Sequence, residues 1–179
     1  VAGDVSVAST FDGGDGILTF SGTNNQTYTD NSGNEPDGDI TINKSSGTVT
    51  LASNTNWNAS NQDLTITDGT LDLAGYTLET GALTVADGAT LKLQGGETLT
   101  TGSKTLQSGS TVEYYGNGTG TATTHTITDK FANYHHLTIN DTSSSNADTF
   151  QLGAASDVNG NFTLTDGTFD QSAQTMNVA

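Results

Sequence analysis

The residues best suited to chemistry are acidic and lie near the start of the sequence. Asp30, Glu35, Asp37 and Asp39 fall within one polar stretch. Ca²⁺ takes about six to eight oxygen ligands from flexible acidic loops of this kind, so the stretch is a candidate calcium site. The other interpretation is that these residues form solvated turns, because Asp also favours turns. We expect no cofactor other than this calcium.

Three further carboxylates could support hydrolysis. Asp68, Asp72 and Asp87 offer the paired acids that glycoside hydrolysis uses. However, Asp68 and Asp87 occupy equivalent places in two Asp-Gly turns, which explains them structurally. The chain has no Arg and only four Lys, and an acidic surface repels an acidic glycan. We therefore expect no enzymatic activity.

The histidines are His125, His135 and His136. Adjacent residues of a strand point to opposite sides, so His135 and His136 are not expected to share a metal ion. We expect all three imidazoles at surface positions.

The charge balance excludes two classes of partner. The formal net charge is −16, with 20 acidic residues against four Lys. A nucleic acid or an anionic membrane surface requires clustered cations, and a membrane span requires about 20 consecutive apolar residues. We therefore expect neither nucleic-acid binding nor membrane insertion. Cysteine is absent, which excludes disulfides and thiolate metal sites.

Six Asn-x-Ser/Thr triplets mark candidate glycosylation sites. They begin at Asn25, Asn43, Asn58, Asn117, Asn140 and Asn161. A chain so rich in Asn, Ser and Thr contains nearly as many by chance. The triplets therefore permit glycosylation of a secreted protein without implying it.

The elements that must position these residues follow a repeat. Residues 64–73 and 83–93 each contain a short alternating strand, an Asp-Gly turn and a second alternating strand. A similar copy occupies residues 162–169. A unit of this kind cannot bury its apolar side alone and must stack on its neighbours.

The period of the pattern is two, which indicates strands, and the many Gly, Thr and Ser residues oppose helix. Glycines that directly follow an Asp or a Ser recur at intervals near 20 residues and mark turns. They are Gly22, Gly47, Gly69, Gly88 and Gly109. The sequence therefore predicts an all-β, single-domain parallel β-helix, or β-solenoid, of about seven to nine coils. Its inward columns should include Leu64 with Leu83, Ile66 with Val85, and Leu71 with Leu91.

The first part of the chain is less regular. Residues 1–38 are predicted to form an irregular capping or assembly segment, and residues 39–179 the solenoid repeats. Within the segment we expect short strands around Val5 and at residues 17–20, followed by a polar loop over residues 23–38.

Three stretches carry a family resemblance: Leu71–Leu78, Phe131–Asn140 and Gly160–Asp170. Together they resemble the repeats of large secreted prokaryotic surface and adhesin-like proteins with right-handed parallel β-helices. The resemblance covers roughly residues 39–179 and implies the fold and an extracellular or cell-surface location. It brings no catalytic residues to this chain.

The leading hypothesis is an extracellular structural protein that forms a filament or surface layer. Met176 and Val178 continue the apolar alternation to the last residue given. If the chain is complete, this open coil should pair head to tail with the segment around Val5 and Val7 of another copy. The partner is then the protein itself.

The alternative is a segment of a larger adhesin that binds a carbohydrate or another cell. Sugars stack on aromatic rings, and the candidates for such a platform are Trp57, Tyr114, Tyr115 and Tyr134. Tyr114 and Tyr115 should point to opposite faces, so at most one of them is expected at the surface.

Overall fold

The computed structural model describes residues 1–32, 36–59, 62–143 and 147–179. It confirms the predicted fold, a parallel β-solenoid of about eight turns in a single domain. The only helical element in the described part of the chain is a 3₁₀ turn, Ile127–Asp129.

The strands are β1 (Val5–Ala8), β2 (Leu18–Ser21), β3 (Gln26–Asn31), β4 (Ile40–Leu51), β5 (Thr55–Trp57), β6 (Leu64–Asp72), β7 (Leu78–Val85), β8 (Thr90–Leu93), β9 (Leu99–Leu106), β10 (Thr111–Tyr114), β11 (Thr124–Thr126), β12 (His136–Asn140), β13 (Thr149–Gln151), β14 (Ser156–Val158), β15 (Phe162–Asp166), β16 (Thr168–Asp170) and β17 (Met176–Val178).

The strands fall on three faces, which we name A, B and C in the order in which the chain passes them from β4 onward. Face A contains β2, the first parts of β4 and β6, the ends of β7 and β9, then β14 and β17. Face B is continuous and follows the order β1-β3-β4-β6-β8-β10-β12-β15. Face C contains β5 and the first parts of β7 and β9, then β11, β13 and β16.

The predicted inward columns are confirmed by the strand register. Leu64 pairs with Leu83 and Ile66 with Val85, and all four side chains are fully buried. Thr65 lies between Leu64 and Ile66 and is only partly buried, because alternate side chains of a strand point to opposite sides. The core is therefore a stack of aliphatic layers along the solenoid axis.

The Asp-Gly pairs turn the chain from face A to face B. Gly69 has φ 84°, in the left-handed region. A Cβ at this position would lie 2.8 Å from Lys44 Cβ in the preceding coil. The Asp68 carboxylate accepts the Gly69 backbone N–H at 2.8 Å. Glycine is required here both by the backbone conformation and by the close approach of the preceding coil.

The N-terminal segment is more regular than expected. The predicted strands around Val5 and at residues 17–20 are confirmed as β1 and β2. The predicted polar loop over residues 23–38 is wrong in part, since it contains β3. This strand pairs in parallel with β1 and β4, and it buries Tyr28 in the core. The inward side of β3 itself carries a polar residue, the buried Gln26, which concealed the apolar alternation. The boundary at residue 38 stays a prediction.

Candidate functional site

The regular ladder is interrupted along one edge of β9. This strand pairs with β7, and within the described residues it has no strand partner on its other side. The chain that passes this edge consists of β11, the 3₁₀ turn and irregular backbone to residue 135. We call this place the ladder break. Face B stays continuous across it, because β10 pairs with both β8 and β12.

Two of the four lysines lie at the ladder break. Lys104 is in register with Leu83, so it occupies an inward column position. Its Nζ donates to the Lys130 carbonyl at 2.6 Å. Lys130 Nζ in turn donates to the Gly95 carbonyl at 2.9 Å and to the Asp129 carboxylate at 3.0 and 3.1 Å. Side-chain ammonium groups thus make the hydrogen bonds that backbone N–H groups make elsewhere.

Two cavities flank Lys130. One has a volume of about 350 Å³ and is lined by residues that include Lys104, Phe131, Asn133 and His135. The other, of about 510 Å³, lies towards face C and includes Gln94, Asn117, Thr124, His125 and Asp129 in its lining. Burial lowers the pKa of Lys104, while nearby Asp129 raises it and nearby Lys130 lowers it further.

A buried carboxylate secures the loop beside the break. Asp148 is fully buried, and it accepts the backbone N–H groups of Asn117 and Thr123 at 3.1 and 2.7 Å. His125 Nε2 lies 3.2 Å from Asp148 Oδ2, and the His125 ring stacks on Phe150. The prediction of a surface position for His125 is therefore wrong, since its side chain is only 5% exposed. An aromatic layer and a carboxylate enclose it.

A second carboxylate, that of Asp141, holds the backbone at Asp148. Its carboxylate accepts the backbone N–H of Asp148 at 2.6 Å and that of Ser143 at 3.0 Å. Burial by itself raises the pKa of Asp141, but the hydrogen bonds from Ser143 and Asp148 and the nearby His125 together lower it below its ordinary value of 3.8. The ionised form of Asp141 is thus the one that the fold favours.

The expectation that His135 and His136 point to opposite sides is wrong. Their ring centroids are 4.4 Å apart, because β12 begins at His136 and the alternation rule fails at the preceding corner. His135 Nδ1 accepts the Gly109 N–H at 2.9 Å, and His136 Nδ1 accepts the Asn161 N–H at 2.8 Å. Both half-buried rings therefore link neighbouring coils.

The candidate calcium ligands are engaged in separate contacts. Asp30 accepts the Ser32 N–H at 2.7 Å, and Asp39 accepts the Asp63 N–H at 3.1 Å. Glu35 lies outside the described residues. Within residues 1–32, 36–59, 62–143 and 147–179, no group of three His, Asp or Glu side chains lies close enough to hold a metal ion. The calcium site, including Asp37, stays a prediction.

Two of the three carboxylates considered for hydrolysis, Asp68 and Asp72, accept backbone hydrogen bonds. Asp68 and Asp87 both lie at corners between faces A and B, in agreement with the turn interpretation. Asp72 accepts the Ala74 N–H and the Tyr115 hydroxyl, each at 2.9 Å. Burial raises the pKa of Asp72, although these hydrogen bonds and nearby Lys92 act in the opposite direction.

The glycosylation triplets fall into two groups. The exposed acceptors are Asn25, Asn43, Asn58 and Asn161. Asn117 and Asn140 are half-buried, and their amide nitrogens donate to the Thr123 hydroxyl and the Glu113 carboxylate. If glycosylation occurs, the exposed group offers the freer amides.

Most of the proposed aromatic platform is buried. Trp57 and Tyr114 are fully buried and Tyr134 is 1% exposed, so none of them can stack on a sugar. Trp57 belongs to β5. Tyr115 is half-buried, with Lys92 Nζ 4.9 Å above its ring. Stacking of a sugar on Trp57, Tyr114 or Tyr134 is therefore excluded, and Tyr115 is the remaining ring of this set.

The assembly residues lie on different faces at the two ends of the solenoid. Val5 and Val7 belong to β1 on face B, where Val7 is only 3% exposed. Met176 and Val178 belong to β17 on face A. The last strand of face B is instead β15, in which Leu164 is 48% exposed. Direct pairing of Val5 and Val7 with Met176 and Val178 would join unlike faces.

Sequence reasoning missed Lys104. The register aligns Lys104, Thr105 and Leu106 with Leu83, Thr84 and Val85. A lysine thus stands where the other coils carry an aliphatic residue. This signal was present in the sequence, because aligning the repeats column by column exposes a charge in an apolar column. The carboxylate of Asp148 gave no such signal, since it lies beside a loop without a repeat.

The comparisons with known proteins add no relatives. A scan against protein-family models found no match, and neither a search of curated proteins nor a search of solved structures found one. In the described part of the chain, no helix has the length and hydrophobicity needed to cross a bilayer. The fold is therefore the firm conclusion, and function has to be argued from the ends of the solenoid and the ladder break.

Proposed function

We propose that this chain is a non-enzymatic structural protein of the cell exterior whose coils stack head to tail between copies. The extracellular location rests on the composition and on the resemblance of the repeats to secreted surface proteins. The assembly rests on where the molecule exposes apolar side chains.

The observation that supports assembly is that exposed large apolar residues lie at the two ends. Of six such residues described, only Tyr76 lies in the middle of the solenoid. The five at the ends are Val1, Phe11, Ile17, Leu164 and Val178. Apolar side chains that are confined to opposite ends of a solenoid suit the burial of one end against the other.

The strand edges at the ends also suit each other. Among the described residues, β1 pairs only with β3 and β15 only with β12. Each therefore presents one open edge for parallel strand addition. Leu164 continues the column of Ile139, so a strand placed on β15 would cover an apolar layer.

If strands of two copies pair only within the same face, the strands that meet differ from those inferred from the sequence. On face B, β15 of one copy would meet β1 of the next, which brings Leu164 towards Val5. On face A, β17 would meet residues 1–3, which already lie beside β2, since Ser21 N–H donates to the Val1 carbonyl at 2.8 Å. Contacts between unlike ends do not close on themselves and would give a filament.

Complementary end variants test this proposal. Leu164→Asp places a charge on the open edge, whereas Thr163→Asp places the same charge on the adjacent outward position. We expect the parent chain and Thr163→Asp to sediment as concentration-dependent oligomers and Leu164→Asp as a monomer. Val5→Asp, which blocks the other end, should also be monomeric.

A mixture of Leu164→Asp and Val5→Asp retains one good interface and should form dimers only. A further coil of a longer polypeptide is the competing occupant of the β15 edge. If the parent chain stays monomeric at every concentration, assembly is refuted and a further coil of a longer polypeptide is favoured at the β15 edge. Dimers formed by one end variant alone would show contacts between like ends, which exclude a head-to-tail filament.

The alternative function, a segment that binds a carbohydrate or another cell, keeps one supporting observation. The cavity of about 350 Å³ beside Lys104 opens at the ladder break, away from both ends. A ligand there would not compete with assembly.

A further inference from the structure

We propose that the cavity beside Lys104 binds a small hydroxylated carboxylate, the chemical class to which the uronic acids belong. This inference gives the alternative function a ligand class. It does not depend on end-to-end assembly, so either proposal can fail without the other.

The charge of the cavity is opposite to that of the molecule. The chain has a net charge of −16, yet the described lining of this cavity contains Lys104, Lys130 and His135 and no Asp or Glu. The Lys130 ammonium is already paired with Asp129 at 3.0 Å and is 4% exposed. Lys104 is therefore the cation that remains for a ligand.

Lys104 has hydrogen-bonding capacity to spare. An ammonium carries three N–H donors, and Lys104 uses one of them on the Lys130 carbonyl. Its nitrogen also lies 5.4 Å from the centroid of the Phe131 ring. No carboxylate of the described residues lies within ion-pairing distance of it. A carboxylate in the cavity would supply the missing acceptor and counter-charge.

The position of Lys104 is fixed by the fold. It occupies an inward column of β9, and the ladder break removes the strand that would otherwise cover it. Lys104 is exposed where it lines the cavity, and partial desolvation of its ammonium lowers the pKa of Lys104. A bound anion would pair with this cation, so the site favours an anionic ligand over a neutral one.

The rest of the lining favours a hydroxylated body over a bare anion. Asn133 Oδ1 accepts the Asp157 N–H at 3.0 Å, which orients the amide. Among the described residues, the Asn133 amide nitrogen has no partner, so its donors are available to hydroxyl oxygens. Asn159 adds a second amide, and Leu106 and Phe131 add apolar surface for ring carbons. This combination is typical of sites that bind small polar molecules.

The test is a titration of the full chain with glucuronate, followed by calorimetry and by amide chemical shifts, at about 0.15 M salt to screen the net charge. Acetate and glucose are the comparison ligands. We expect saturable glucuronate binding, tighter than that of acetate or glucose, with shifts at Asn133, His135 and Asn159. Absence of saturable binding, or acetate that binds as tightly as glucuronate, would overturn the proposal.

Two lysine variants with the same charge change locate the site. Lys104→Gln should lower the association constant about tenfold or more, as expected for loss of a charge-assisted hydrogen bond. Lys92→Gln removes a cation that is paired with Glu113 at 3.1 Å and should leave binding unchanged. Equal losses in both variants would mean that general electrostatics, rather than this cavity, governs binding.

A third variant covers the case in which Lys104→Gln does not fold. Ala132 is an exposed residue of the lining, and Ala132→Asp adds a negative charge there without removing a contact of Lys104. We expect it to abolish glucuronate binding. Unchanged affinity in this folded variant would overturn the proposal.

Discussion

The same repeat is followed by the coils built from β4 to β8 and by the coils on either side of the ladder break. The two regions differ in the residues at their inward positions and in the groups that hydrogen-bond between coils. In the first region, layers such as Leu64 and Leu83 are aliphatic and backbone strands pair on every face. At the break, Lys104 and Lys130 replace strand pairing with side-chain hydrogen bonds. At the break, side chains therefore make hydrogen bonds that a paired strand makes in the regular coils.

The largest effect should come from the regular region. Ile66→Asp buries an unpaired carboxylate in a dry aliphatic column, which should cost about 5 kcal/mol and prevent folding. Thr65→Asp introduces the same side chain one residue away on the outward side, and we expect it to be tolerated. Circular dichroism during urea unfolding measures both. Similar losses would contradict the assignment of inward and outward positions.

A smaller effect is expected at the break. Asp148→Asn weakens a buried acceptor of two backbone N–H groups and His125, which should lower the free energy of unfolding by about 3 kcal/mol. Hydrogen exchange at Asn117 and Thr123 should accelerate. Asp15→Asn, at an exposed position, should change stability by no more than about 0.5 kcal/mol. If the two variants unfold alike and exchange at Asn117 is unchanged, Asp148 does not secure the loop.

The smallest predicted effects concern how the free energy of unfolding depends on pH, and they have opposite signs in the two regions. The pKa of Asp141 is lowered on folding, so its ionised form adds stability above its unfolded value of 3.8, which is lost as pH falls through the lowered pKa. Asp141→Asn should therefore cost about 1 kcal/mol at neutral pH, and the difference should shrink in acid.

Asp72 should behave in the opposite way. Its pKa is raised on folding, so its contribution is complete below 3.8 and is lost as pH rises through the raised pKa. Asp72→Asn should raise the unfolding free energy at neutral pH by about 0.5 kcal/mol, without a gain in acid. Urea unfolding of both variants across pH measures this, and two differences of the same sign would contradict the pKa directions.

The sequence predicted the fold because alternation and turn chemistry are local. The columns through Ile66 and Leu71 could be read from residue types two apart, and the corner at Gly69 from its Asp-Gly pair. The same locality explains the errors. The alternation rule separated His135 from His136, but it applies only within a strand and the first of these residues lies at a corner. Strand β3 was missed for a different reason, since the inward position before Tyr28 is occupied by the polar Gln26.

The ladder break could be predicted only in part. Lys104 in a column of leucines was a visible irregularity, whereas the contacts of Asp148 depend on how a loop folds back over the next coil. The calcium site over the acidic stretch from Asp30 to Asp39 stays a prediction, which rests on residues that are close in sequence. In the solenoid, Asp30 and Asp39 cap different backbone groups, since neighbours in sequence lie on successive faces of the coil.

The ladder break also bears on how the molecule would carry a mechanical load. Hydrogen bonds between coils point along the solenoid axis, so tension applied to the two ends pulls directly on them. Across the break, in the part of the chain that the structure describes, only face B supplies a backbone ladder, through β10 and β12. The side chains of Lys104, Lys130 and His135 make further hydrogen bonds across it. We expect a stretched molecule to part first at the unpaired edge of β9, leaving a shorter stack of intact coils on each side. Single-molecule pulling would detect that step as the lowest rupture force.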